Sequence, residues 1–237
     1  MNITLQGSKV TEEQVAESVA KHIAALSTGR KELYVCDLHI GHPPDDRLMA
    51  LTRIVEKTCP DKIVCHGDTF HKNEVDLPDI YKTKDWLTFK GLATIIPTYV
   101  IPGNHDFDLV AEQIFPAQLI QPYLDDYGYW HCHGHEYDPI QQLPRWWQKL
   151  WAKWFSKTPY QLLQPHDGNP LYLDACQLIH TRIMNERKFK GYIFGHTHLP
   201  GHMSFPDLNL DMWNGGDFVD SFSCIVRTDD KLELITL

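Results

Sequence analysis

Five short polar motifs hold the residues able to do chemistry in this sequence: Asp37-Leu-His39, Gly67-Asp68, Gly103-Asn-His-Asp106, His133-Gly-His135 and Gly195-His-Thr-His198. Each closes an apolar run, where α/β proteins place their functional loops. Carboxylate, imidazole and amide oxygen without a thiolate form a donor set suited to Mn, Fe, Zn, Co or Ni. Asp68 has two oxygens and could bridge two cations. Gly67 lets the backbone come close to a ligand. Asn104 offers a neutral hard oxygen, and His105 beside it can deliver a proton. At the fourth motif His133, held before a glycine, is the chosen ligand, His135 is the second candidate, and His131 is structural. His71 is a loop residue lining the cleft. Any one of these motifs reads as an ordinary polar turn, but five strand ends of the same character in one chain do not.

The elements that must position them follow from periodicity. Apolar runs over 32–36, 62–65, 98–101, 129–132 and 192–194 predict strands, and spaced apolar residues predict helices over about 46–57, 78–89 and 109–115. Strand side chains two apart share a face, so Asp37 and His39 are expected to reach one ion together. Residues 203–237 alternate short apolar runs with turns, notably Asn214-Gly-Gly-Asp217, and are expected to close the second sheet as antiparallel strands.

Two segments stand outside this series. Residues 1–30 read as a short strand followed by an amphipathic helix with a capping box at Thr11-Glu-Glu-Gln14, packed on the domain. Residues 139–190 read as a helical cap insertion. In it, at about 100° per residue, Leu143, Trp147, Leu150, Trp151 and Trp154 share one stripe while Arg145 and Lys149 lie opposite. One reading is a helix packed on its own domain. The sharper one is a lid touching lipid or a lipid-bearing substrate, because Trp with Lys and Arg suits the membrane interface.

With 237 residues, 43% of them hydrophobic, the chain suits one large domain. A net charge of −9 gives no bulk attraction for nucleic acid. The six cysteines lack CxxC spacing and read as reduced thiols of a cytosolic protein. Neither a signal peptide nor a membrane-spanning run is visible, so a cytoplasmic location is expected, peripheral at the membrane if the cap meets lipid.

Taken together, the motif series resembles the calcineurin-like metallophosphoesterase superfamily, over residues 31 to about 220. The resemblance implies an α/β fold of two packed mixed β-sheets flanked by helices, an αββα sandwich. It also implies two divalent ions, manganese first among the metals named. One would be held by Asp37, His39, Asp68 and His198, the other by Asp68, Asn104, His133 and His196. Such ions sit about 3.5–4 Å apart, and a water between them loses a proton near neutral pH and attacks phosphorus in line. In that scheme His105 serves the leaving oxygen and Asp106 holds its ring. Within the superfamily the chain looks most like the UDP-2,3-diacylglucosamine pyrophosphatases, through its length, its helical insertion and the segment Asn214-Gly-Gly-Asp217-Phe-Val-Asp220. It departs from their best-known branch, which has Arg in place of His105 and Asp in place of His135. Two other readings stay open. One is a phosphodiesterase or phosphatase for soluble nucleotides or nucleic-acid ends, with Arg145, Lys149 and Lys153 following phosphates. The other is a catalytically silent interaction module.

Overall fold

Strands with both faces covered must be apolar throughout, and the central runs of this chain are. In the computed structural model, which describes residues 4–5, 8–9, 30–72, 74–106, 108–137 and 190–237, they build two mixed sheets. After a small antiparallel pair, β1 (Thr4–Leu5) and β2 (Ser8–Lys9), come β3 (Lys31–Val35), α1 (Leu48–Thr58) and β4 (Lys62–His66). Next are α2 (Leu77–Ile80), α3 (Lys84–Ile95), β5 (Thr98–Ile101), α4 (Ala111–Ile114), β6 (Gln118–Leu119), β7 (Tyr123–Leu124) and β8 (Tyr129–His131). The chain finishes with β9 (Gly191–Phe194), β10 (Gly201–Phe205), β11 (Leu210–Asn214), β12 (Ser223–Thr228) and β13 (Lys231–Thr236).

The larger sheet runs β13-β12-β3-β4-β5-β6 and the smaller β10-β11-β9-β8-β7. Strands β3 to β6 are parallel, so β3, β4 and β5 end on the same edge. Strands β8, β9 and β11 are parallel to one another in the second sheet. Alternation sorts the faces. Leu33, Val35, Ile63 and Cys65 point to the helix side, against Leu51 and Ile54 of α1 and Trp86 and Phe89 of α3. Tyr34, Val64 and Ile101 point the other way and meet Tyr129 and Ile193 of the second sheet. The double-sheet α/β architecture with flanking helices is as expected.

Some details differ. The helix expected over 78–89 is two helices, because Thr83 turns extended and its hydroxyl accepts from the Trp86 amide at 3.1 Å, starting α3 afresh. The C-terminal strands do not all close the second sheet. β10 and β11 join it, with β11 parallel to β9, while β12 and β13 lie antiparallel on the first sheet beside β3. The helix expected within residues 1–30 and residues 139–189 of the expected insertion lie outside the described residues, Arg145, Trp147, Lys149, Trp151 and Trp154 among them.

Between the sheets lies a buried polar network. Arg227 is 1% exposed, pairs with Asp125 and stands against the rings of Tyr34, Tyr127 and Tyr129. Asp125 also accepts from His131 at 3.0 Å, and His131 meets His66 at 2.8 Å. Burial opposes charge on Asp125, but the hydrogen bonds from His131 and Arg227 outweigh it and hold its carboxyl below the usual range. That contribution to stability is present above the unfolded carboxylate pKa, about 4. It is lost as pH falls through the depressed folded value. Arg227→Ala leaves Asp125 buried beside no cation and is expected to cost about 3–5 kcal/mol in urea denaturation at pH 7, with a smaller loss in acid.

Candidate metal centre

The five motifs meet where the strands end. The parallel pairing of β3 and β4 continues past both strands: the Asp37 amide donates to the Gly67 carbonyl at 3.2 Å and the His39 amide to the Asp68 carbonyl at 2.9 Å. From the second sheet, the Gly195 amide donates to the His133 carbonyl at 3.0 Å. Asp37, His39, Asp68, His196 and His198 all have positive φ, from 45° to 68°. Non-glycine residues in this region cost about 1–2 kcal/mol each, and such strain concentrates at functional sites. It also corrects the route by which Asp37 and His39 come together. β3 has ended at Val35, so left-handed backbone, not strand alternation, aims the two side chains.

The side chains gather into two groups able to hold an ion, Asp37–His39–His198 and Asp68–His133–His196. His39 Nε2, 4.0 Å from Asp68 Oδ2, joins them. In the second group Asn104 Oδ1 lies 3.2 Å and Asp68 Oδ2 3.3 Å from His133 Nε2. His133 Nδ1 faces the His66 carbonyl at 2.7 Å and must donate to it, which leaves a lone pair on Nε2. With His133 neutral, three electron-pair donors therefore converge there. In the first group His198 Nδ1 faces Asp217 Oδ2 at 3.1 Å, so His198 Nε2 turns its lone pair to Asp37 Oδ1 at 3.3 Å. Asp37 Oδ1 is buried and has no hydrogen-bond donor among the described residues.

Such an arrangement calls for cations, and protons are the substitutes when none are bound. Burial opposes protonation of His133, yet Asp68 and Asp37 overcome it and push its pKa up to about 10. His198 is raised in the same way by Asp37 and Asp217 against its burial. The donor set of carboxylate, imidazole and amide fits first-row divalent ions.

His105 stands at the rim. Its amide donates to Asp68 Oδ1 at 2.7 Å, and its Nε2 is 3.9 Å from Asp68 Oδ2. Asp106 does not hold the His105 ring. Its carboxylate accepts from the amides of Phe70 at 2.8 Å, Thr69 at 2.9 Å and Gly103 at 3.1 Å. It therefore staples the Asp68 loop to the Asn104 loop. His135 lies beside His133 and His196, with ring centroids 5.2 and 6.4 Å away, but its Nδ1 is 3.5 Å from Glu136.

Asp217 is a site residue that motif reading missed. It is fully buried, and its Oδ1 accepts from the amides of Val219, Asp220 and Ser221 at 2.9, 2.7 and 2.8 Å. Those bonds fix Oδ2 against His198. A carboxylate behind a ligating imidazole sets its tautomer and basicity. Asp217→Ala is expected to weaken binding of one ion by about 10- to 100-fold, read by titrating metal into the stripped protein.

A family model described as calcineurin-like phosphoesterase matches residues 33–200. No curated protein matches the chain. Among solved structures it is similar to YfcE, a phosphoesterase from E. coli, at 17% identity over 86% of this chain and 92% of that one, with a TM-score of 0.49. Vacuolar protein sorting 29 from Cryptosporidium parvum is similar at 12% identity over 89% and 97%, TM-score 0.48. A further crystal structure is 16% identical over 88% and 99%, with a TM-score of 0.51. At 16% identity, the likeness to the last of these is one of fold alone.

Proposed function

Because this chain belongs to the calcineurin-like phosphoesterase family, we propose that it hydrolyses a phosphodiester or pyrophosphate with two divalent cations shared by Asp68. The chain is a metal-dependent phosphoesterase; the number of ions, their ligands and the bond cleaved are our reading. Its main support is the pair of adjoining donor groups, Asp37–His39–His198 and Asp68–His133–His196, each with its ligand atoms within 4.8 Å of one another. When bound, such ions lower the pKa of a water and offset charge on phosphoryl oxygens. The protein's own part is positioning. Asp68 and Asn104 orient one group, and Asp217 fixes His198 in the other. We assign His105, 24% exposed in its side chain and 3.9 Å from Asp68 Oδ2, as the proton donor for a leaving oxygen. The reaction exchanges one P–O bond to the leaving group for one to water's oxygen.

For the substrate we propose a lipid-linked nucleotide of the UDP-2,3-diacylglucosamine type. The sequence stripe Leu143, Trp147, Leu150, Trp151 and Trp154 supports this, with Arg145 and Lys149 opposite for phosphates or a lipid surface. Alanine at the three stripe tryptophans should spoil turnover of the acylated nucleotide and spare bis(p-nitrophenyl) phosphate. Equal loss on both would refute the lipid role. The basic residues of the same segment favour a second reading, a soluble nucleotide or nucleic-acid end. It predicts binding that falls steeply with salt. Among the described residues, no helix is long and apolar enough to cross a membrane.

A further inference from the structure

We propose that His71 is a positioning residue for the first ion, holding His39 in the tautomer and tilt that aim its Nε2 at the Asp37–His39–His198 group. This rests on the metal reading above. His39 Nε2 lies 3.3 Å from His198 Nε2 and 3.9 Å from Asp37 Oδ1, so Nε2 is the atom turned to the ion. Its other nitrogen, Nδ1, is 3.2 Å from His71 Nδ1. Two imidazole nitrogens at that distance need one proton between them, since two lone pairs or two protons would repel.

The position of that proton is then fixed by elimination. A neutral His39 that gives its Nε2 lone pair to a cation carries its proton on Nδ1. It therefore donates to His71 Nδ1. The proton of His71 itself must sit on Nε2, which faces Glu74 Oε2 at 3.1 Å. Binding one ion thus sets the proton positions of two rings. Glu74 is 71% exposed in its side chain, so its share is small.

The His71 ring does a second job. It stacks on His105 at 5.3 Å and 21°, and His105 stands edge-on to His39 at 4.9 Å and 86°. Backbone bonds hold His71 there: its amide donates to the Ile40 carbonyl at 2.9 Å, and its carbonyl accepts from the amides of Glu74 and Val75 at 3.2 and 3.1 Å. The ring thus touches both His39 and His105, and in this proposal it is a support rather than a ligand.

A competing arrangement is a third ion on His39, His71 and His105, whose nitrogens also lie close enough together. Zinc separates the two. Zinc alone would be titrated into the stripped full chain, with ¹⁵N-imidazole spectra of the loaded protein. Expected are His39 protonated at Nδ1, His71 protonated at Nε2, and no zinc on His71. His71→Leu, which keeps bulk but cannot accept, should weaken the first ion about 10- to 100-fold. His71→Asn, whose Oδ1 can take the place of Nδ1, should recover most of that loss. Zinc on His71, a proton on His71 Nδ1, or equal affinities in the leucine, asparagine and native proteins would overturn the inference. Equal loss in both variants would reduce His71 to packing and overturn it too. Should the leucine variant fail to fold, the native spectra still decide. A native chain that binds no zinc at all would instead sink the metal reading on which the inference stands.

Discussion

Asp68→Asn is expected to lower turnover of a small chromogenic phosphodiester by at least about a hundred- to a thousand-fold, the usual cost of losing one electrostatic stabiliser at a reacting centre. The substitution keeps shape and removes charge. Its amide oxygen can still accept from the His105 amide, now at 2.7 Å from Asp68 Oδ1. Its new NH₂ would face the lone pair of His133 Nε2, where Oδ2 now stands at 3.3 Å. The variant therefore satisfies the pocket by a hydrogen bond and no longer requires a cation there. Metal content per chain should fall with activity while the fold persists.

The same change has a signature in stability. Burial, then repulsion from Asp68, raises the Asp106 carboxyl to about 7, against the three amides that favour its charge. A folded acid with a raised pKa holds a proton that the unfolded chain has released. Its contribution to the stability of the metal-free protein thus falls as pH rises from about 4 to its folded value. Removing the Asp68 charge weakens one of the two causes, so this fall should be shallower in Asp68→Asn than in the native chain.

Gly103→Ala should be strongly damaging, because the methyl would meet backbone at the centre. A Cβ there would stand 2.2 Å from Asp68 Oδ1 and 2.3 Å from the Asp68 backbone nitrogen. Backbone cannot step aside as a flexible side chain can, and Asp68 is itself held at φ 47°. A loss of about 3 kcal/mol is expected, at the upper end for overpacking, together with loss of metal. Gly91→Ala is the control. That glycine lies in α3 with nothing within 4 Å of an added Cβ, and helix propensity predicts a gain of about 0.5–1 kcal/mol. Guanidinium denaturation of the two variants beside the native chain measures both. Equal effects would mean that the Asp68 and Asn104 loops are not tightly packed.

These residues also mark what the sequence could convey. The strand ends were legible because parallel strands covered on both faces are apolar runs, and a run that stops at Asp, His or Gly shows its boundary. The relation between Asp37 and His39 was reached by the wrong route, since positive φ is a tertiary property that pays its strain only in the assembled site. In the sequence Asp217 is part of a turn, Asn214-Gly-Gly-Asp217. What makes it a partner of His198 is the parallel pairing of β11 with β9, and no local pattern announces which strand a strand will meet. Likewise β13 alternates much as an edge strand of either sheet would, and the apolar run of β12 does not say which sheet it joins. Asp106 follows His105 directly, yet the turn sends its carboxylate to the amides of residues 69, 70 and 103. His71 lies 32 residues from His39, with which it shares a proton. Strands β6 and β7 are two residues each, too short for a period to show.

The central claim is that two cations on the Asp68-centred donor set carry phosphoester hydrolysis. The most direct measurement is the turnover of bis(p-nitrophenyl) phosphate as Mn²⁺ is added by equivalents to the stripped full chain, in parallel with Asp68→Asn. The account predicts little turnover without metal, a rise that is complete only with the second equivalent, and no comparable rise in the variant. Full turnover in the stripped chain, saturation at a single equivalent, or native rates in Asp68→Asn would contradict it.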